Sequence, residues 1–69
     1  MAQTSIGALL MSDLIQKILH LARLQPISPM EISYQLPTYS QEVVFDTIDI
    51  MQEKQIVYFD VENDVLLVL

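Results

Sequence analysis

The side chains that could perform catalysis or hold a metal ion are few in this sequence. His20 is the single histidine, Lys17 precedes it by one helical turn, and the chain contains no cysteine. A metal site needs several ligands close together, and covalent catalysis needs a nucleophile beside a base. We therefore predict no metal site, no cofactor and no enzymatic activity, and we interpret His20 as a partly exposed helix residue.

Two further patterns resemble ligand-binding loops only superficially. The run DVEND, residues 60–64, has the acidic spacing that opens a calcium loop but lacks its glycine and its bidentate glutamate. Gly7 is the only glycine, whereas phosphate-binding loops need several. DVEND is therefore predicted to be a hairpin turn.

Charge gives the first indication of function, because nine acidic residues against three basic ones leave a formal net charge of −6. Four carboxylates lie in SQEVVFDTIDIMQEK, residues 40–54. Nucleic acid is bound mainly through Lys and Arg, so we do not expect it as a partner. Lys17, His20 and Arg23 share one helix face, which is either simply exposed or a docking site for the acidic face of another copy.

The length of 69 residues fits one small domain, and the apolar fraction of 52% favours a folded chain. Charged residues such as Asp13 and Lys17 interrupt the apolar run of residues 6–24, so no membrane span is predicted. The absence of cysteine and of a basic N-terminal region makes the cytoplasm the expected location.

Periodicity and capping signals predict three helices, at residues 12–25, 29–36 and 41–54. Ser12 with Asp13, Ser28 and Ser40 are the predicted N-caps; Pro29 takes the first position of the second helix, and Glu31 completes a capping box. The domain is accordingly expected to cover residues 12–69. Residues 1–11 are expected to form an apolar segment that is either an extension of the first helix or an interface arm.

The apolar period then changes from 3.6 to 2, which predicts a hairpin with strands at residues 56–61 and 65–69. Ile27, lying between Pro26 and the Ser28 cap, is a candidate for a short strand beside the hairpin. The predicted core is Leu14, Ile18, Leu21, Ile32, Leu36, Val44, Ile48, Met51 and Val57. The fold class is therefore α+β, with three helices followed by a C-terminal β-hairpin.

Residues 28–57 resemble the winged helix-turn-helix fold of MarR-like and ArsR-like regulators. The positions that match the second helix of the family are Glu31, Ile32, Ser33 and Leu36. Those that match its third helix are Ser40, Val44, Ile48 and Met51, followed by EKQIV. The resemblance implies a small winged helix whose hairpin is the wing. The turn PTY is one residue longer than usual and lacks glycine, and Gln55 stands where the family has a glycine.

The third helix carries apolar residues outside its core face. Val43 and Ile50 share a stripe with Asp46, and Phe45 lies on the other flank. Apolar residues interleaved with carboxylates are typical of a protein interface, although a solvated acidic face would show the same charges. We predict these four residues as interface residues.

The last strand, VLLVL, is apolar on both faces, and Leu66 and Val68 are predicted to complete the interface. Its second face needs a cover, which is either residues 5–11, a second copy of the chain or another protein. A homodimer or a hetero-complex is therefore expected.

These observations favour a non-enzymatic protein-interaction module or adaptor. The alternative, implied by the resemblance, is a dimeric DNA-binding transcriptional regulator. Its DNA contacts would lie at the start of the third helix, at Gln41, Glu42, Val43 and Phe45.

Overall fold

Three helices followed by an antiparallel hairpin make up the computed structural model, which describes the backbone of residues 6–69 and the side chains of residues 12–69. The elements are α1 (Ile6–Leu24), α2 (Pro29–Gln35), α3 (Gln41–Glu53), β1 (Val57–Asp60) and β2 (Val65–Val68). The predicted α+β layout is confirmed. No described helix is long and apolar enough to cross a membrane.

The first helix begins earlier than the sequence predicted. Residues 6–11 belong to α1, so Ser12 and Asp13 lie inside the helix and do not cap it. The physical reason is that Ala8, Leu9 and Leu10 are strong helix formers, so the helix continues through them toward the N-terminus and does not begin at Ser12. Residues 6–11 are thus a helix extension, and the remainder of the predicted segment lies outside the described residues.

The predicted caps of the other two helices are present. Ser28 Oγ accepts a hydrogen bond from the Glu31 backbone N–H at 3.1 Å, and Pro29 occupies the first turn of α2. Ser40 Oγ accepts one from the Val43 N–H at 3.2 Å. Each cap satisfies a donor that the first helical turn leaves unpaired, which fixes where α2 and α3 start.

A Schellman motif ends α3 and sets the direction of the hairpin. The Ile56 N–H donates to Met51 O at 2.9 Å, and the Gln55 N–H donates to Gln52 O at 3.0 Å. Gln55 consequently has a φ of 60°, the left-handed conformation that a side chain disfavours. A glycine at this position would adopt it without strain.

The core lies where the three helices meet the inner face of the hairpin. Its buried apolar residues are Leu14, Ile18, Leu19, Ile27, Ile32, Val44, Ile48, Met51, Val57 and Leu66. Seven of the nine predicted core residues are among them, whereas Leu21 and Leu36 are half-buried and pack against the cluster. Ile27 lies beside β2, where its carbonyl accepts a hydrogen bond from the Leu66 N–H at 2.9 Å, but it forms no strand.

The two strands pair Val57 with Val68, Tyr58 with Leu67, Phe59 with Leu66 and Asp60 with Val65. Because side chains alternate along a strand, this register decides which residues face the core. Val57 and Leu66 are buried, and Phe59 and Val68 pack against the core. Tyr58 and Leu67 occupy the opposite face.

The strain at Gln55 makes a testable prediction. Gln55→Gly should raise the free energy of unfolding by about 0.5–1 kcal/mol, since relief of the left-handed strain exceeds the added entropy of the unfolded chain. The matched control is Lys54→Gly, because Lys54 has a φ of −84° and glycine there relieves no strain. Thermal melts should move in opposite directions for the two variants. A lower melting temperature for Gln55→Gly would contradict the prediction.

Candidate interaction surface

The outward side of α3 carries a continuous stripe of carboxylates. Glu42, Asp46, Asp49 and Glu53 are spaced by four, three and four residues, so they lie along one line of the helix, and all four are exposed. The stripe extends from the first turn of α3 to its last residue, Glu53. We call these four residues the acidic stripe.

Among the side chains of residues 12–69, no cation forms an ion pair with the acidic stripe. The ion pair found among the side chains of residues 12–69 joins Lys17 Nζ to Asp13 Oδ2 at 3.1 Å, on α1. A partner that brings positive charge would therefore meet an unbalanced negative surface.

Apolar residues border the acidic stripe on both sides. Val43 is 46% exposed and lies on one side together with Ile50, which is half-buried. Phe45 lies on the other side, where it is half-buried and packs against the core. The predicted interface residues of the third helix are thus separated, with Val43 and Ile50 on one side of the acidic stripe, Phe45 on the other side and Asp46 within the stripe.

Phe45 belongs to an open groove that the sequence did not reveal. The groove has a volume of about 450 Å³ and lies between the start of α2, the flank of α3 and the hairpin. Its lining residues are Pro29, Met30, Phe45, Ile48, Asp49, Gln52, Phe59 and Asp64. The signal in the sequence was the series Phe45, Ile48, Asp49 and Gln52 on one side of α3, but Phe59 and Asp64 join it only through the fold of the hairpin.

The hairpin loop adds acidic side chains next to this groove. Asp60 accepts hydrogen bonds from the Asn63 side-chain amide at 2.7 Å and from the backbone N–H of Glu62 at 3.1 Å. The Asn63 amide is the main reason why the pKa of Asp60 is lowered. Asp60 thus stabilises the turn, as predicted for DVEND, while Glu62 and Asp64 are exposed. No group of three or more potential metal ligands occurs among the described side chains.

The hairpin also exposes an apolar outer face, but not through the residues predicted from the sequence. Leu66, predicted at the interface, is only 1% exposed and belongs to the core, and Val68 is half-buried on the same inner face. The exposed apolar residues of the outer face are Tyr58, at 55% exposure, and Leu67, at 42%. Because the sequence of β2 is apolar on both faces, it does not indicate which face is buried. The pairing register of the two strands determines that Leu66 and Val68 face the core.

A hydrogen-bonded cluster fixes the turn before α3 to α1. Tyr39 Oη donates to Asp13 Oδ2 at 2.6 Å, and Lys17 Nζ lies 5.6 Å from the centroid of the Tyr39 ring. The Tyr39 hydrogen bond, followed by that from Lys17, lowers the pKa of Asp13, and the same bond raises the pKa of Tyr39. Asp13 therefore positions α3 rather than capping α1.

The basic face of α1 is partly engaged by this cluster. Lys17 is paired with Asp13, whereas His20 and Arg23 are exposed. Lys17 and His20 also line a second groove, of about 360 Å³, together with Leu21 and Leu36.

Comparison with known proteins adds no assignment: no family model matches the chain, and no curated protein or solved structure matches it.

The register of the hairpin can be tested with two neighbouring leucines. Leu66→Ala should cost about 2–5 kcal/mol because it opens a cavity in the core. Leu67→Ala, the matched control on the outer face, should cost under about 1 kcal/mol. Chemical denaturation measures both, and equal losses would contradict the register.

The Tyr39 cluster predicts a change in acid titration. Tyr39→Phe removes the hydrogen bond to Asp13, so the pKa of Asp13 should rise toward its ordinary value, as followed by NMR of the carboxyl carbon. Since the pKa of Asp13 is lowered in the folded state, its stabilising contribution exists above the unfolded pKa and is lost as the pH falls below about 4. The part of the stability difference between parent and variant that depends on the ionised Asp13 carboxylate should therefore disappear in acid.

Tyr34→Phe is the control for this experiment, because Tyr34 is exposed on α2. An unchanged titration of Asp13 in Tyr39→Phe would show that the hydrogen bond does not form in solution.

Proposed function

We propose that the chain is a winged-helix domain that acts as a non-enzymatic protein-interaction module or adaptor, with α3 as its main contact. The observation that carries this proposal is the acidic stripe, which is exposed, without ion pairs to the described side chains and bordered by apolar residues. Apolar anchors surrounded by charged groups are what a protein interface requires.

The arrangement of elements supports the winged-helix part of the proposal. The order α1, α2, turn, α3 and hairpin, with Ile27 hydrogen-bonded beside β2, is the order that the sequence resemblance implies. In DNA-binding winged helices, the helix at the position of α3 enters the major groove. The surface of α3 therefore decides what kind of partner this fold would contact.

The alternative, a dimeric DNA-binding regulator, has less support. Of its four contact positions, Glu42 is a carboxylate, Phe45 is half-buried, and Gln41 donates its side-chain N–H to Met30 Sδ at 2.7 Å. On the wing, the negatively charged side chains of Glu62 and Asp64 would also be repelled by the DNA phosphates.

The outer face of the hairpin is the second proposed contact. Tyr58 and Leu67 form a cross-strand pair of exposed apolar side chains, which a homodimer or a hetero-complex would cover. The protein is proposed to act in the cytoplasm, because a chain without cysteine suits a reducing compartment.

The proposal predicts different outcomes with DNA and with protein. Titration of the full chain with random duplex at low salt should show no binding, whereas micromolar binding with a steep dependence on salt would favour the regulator. In affinity capture from the native cytoplasm, Val43→Ser with Ile50→Ser should lose the proteins that the parent retains.

Leu24→Ser is the control for the capture experiment, because Leu24 is 67% exposed and lies at the end of α1, on a different helix from the proposed contact. Thermal melts of all variants establish that they are folded. If the double variant keeps every captured protein, α3 is a solvated face and the proposal fails.

A further inference from the structure

The groove between α2, α3 and the hairpin differs in character from the rest of the α3 surface. Its floor is apolar, with Phe45 and Phe59 half-buried against the core and Ile48 almost completely buried. Met30, exposed by 41%, forms part of its wall. The volume of about 450 Å³ falls within the range of ligand-binding pockets.

Two carboxylates stand over this apolar floor. Asp49 comes from the acidic stripe and Asp64 from the end of the hairpin loop, and both line the groove and are exposed. The ion pair of residues 12–69 is on α1, so neither carboxylate is paired within the described part of the chain. The groove thus combines an apolar floor with an unbalanced negative charge.

We propose that this groove binds a basic amphipathic segment of a partner protein, an inference that rests on the proposed function and specifies the chemistry of the partner. An apolar side chain of the segment packs between Phe45 and Phe59. Flanking Lys or Arg side chains lay their aliphatic stems on this floor and place their charges beside Asp49 and Asp64. The acidic stripe continues from Asp49 and attracts further basic residues of the same segment.

Charge favours such a partner over a second copy of the chain. A second copy brings a net charge of −6 and only three Lys and Arg residues in total. One of these, Lys17, is already paired with Asp13. Two copies would therefore repel each other at this groove, whereas a basic segment is attracted to it.

Synthetic peptides test the proposal on the full chain. The probe has leucine and lysine at amphipathic helical spacing; one matched peptide replaces every lysine by glutamate, and another replaces every leucine by serine. Fluorescence anisotropy should show binding of the first peptide only. NMR shifts should map that binding to Phe45, Asp49 and Phe59.

Charge variants separate the groove from the remainder of the acidic stripe. Asp49→Asn with Asp64→Asn should weaken binding of the probe roughly tenfold, since two partly exposed charge pairs are lost. Asn tolerates the left-handed conformation that Asp64 adopts, with a φ of 53°. Glu42→Gln with Glu53→Gln changes the net charge equally but leaves the groove intact, and should weaken binding at most about twofold.

The outcomes distinguish this inference from the proposed function. Equal weakening by both charge variants, or equal binding of the leucine-free peptide, would show attraction to the acidic stripe without use of the groove, which overturns the inference. Shifts confined to Val43 and Ile50 would also overturn it but would leave the protein-interaction proposal standing. If the parent binds no peptide but the Val43 and Ile50 variant loses captured proteins, the inference about the groove is overturned and the protein-interaction proposal stands.

Discussion

The packing of α3 is the constraint on which the rest of this molecule depends. A single helix of 13 residues contacts α1, α2 and β1, and its side chains Val44, Ile48 and Met51 belong to the buried core. Because these side chains fix the rotation of α3 about its axis, they also decide which residues point outward. The packing of these buried side chains therefore also determines that the acidic stripe and its two apolar borders lie on the outward side of α3.

Much of this arrangement was predictable, because local chemistry determines it. Ser28 and Ser40 cap helices by bonding backbone N–H groups three residues away, and the spacing of Val44, Ile48 and Met51 identifies the buried side of α3. The start of α1 was not predictable from a cap, since Ala8, Leu9 and Leu10, which precede Ser12, are strong helix formers themselves. The acidic stripe follows from the same helical period as the core, because Glu42, Asp46, Asp49 and Glu53 are spaced by four, three and four residues.

The features that the sequence missed depend on how distant parts of the chain meet. Leu66 and Leu67 have the same chemistry, and only the pairing of Phe59 with Leu66 and the contact of Ile27 with β2 place Leu66 inward. The groove likewise needs Phe59 to be brought against the flank of α3. Asp13 was predicted to cap α1, whereas it accepts a hydrogen bond from Tyr39, which lies 26 positions away in the chain. No local pattern contains that information.

The acidic stripe has a physical consequence for the isolated protein. Its neighbouring members, Glu42 with Asp46, Asp46 with Asp49 and Asp49 with Glu53, are like charges at helical contact spacing, and each pair destabilises a helix by about 0.2–0.5 kcal/mol. Glu53 also lies in the last turn, which carries no basic residue, where the helix dipole disfavours a negative charge. A small domain has little stability to lose in this way. A basic partner of the kind proposed would relieve this repulsion on binding, so binding and the stability of α3 would increase together, because a ligand that binds only the folded state stabilises it.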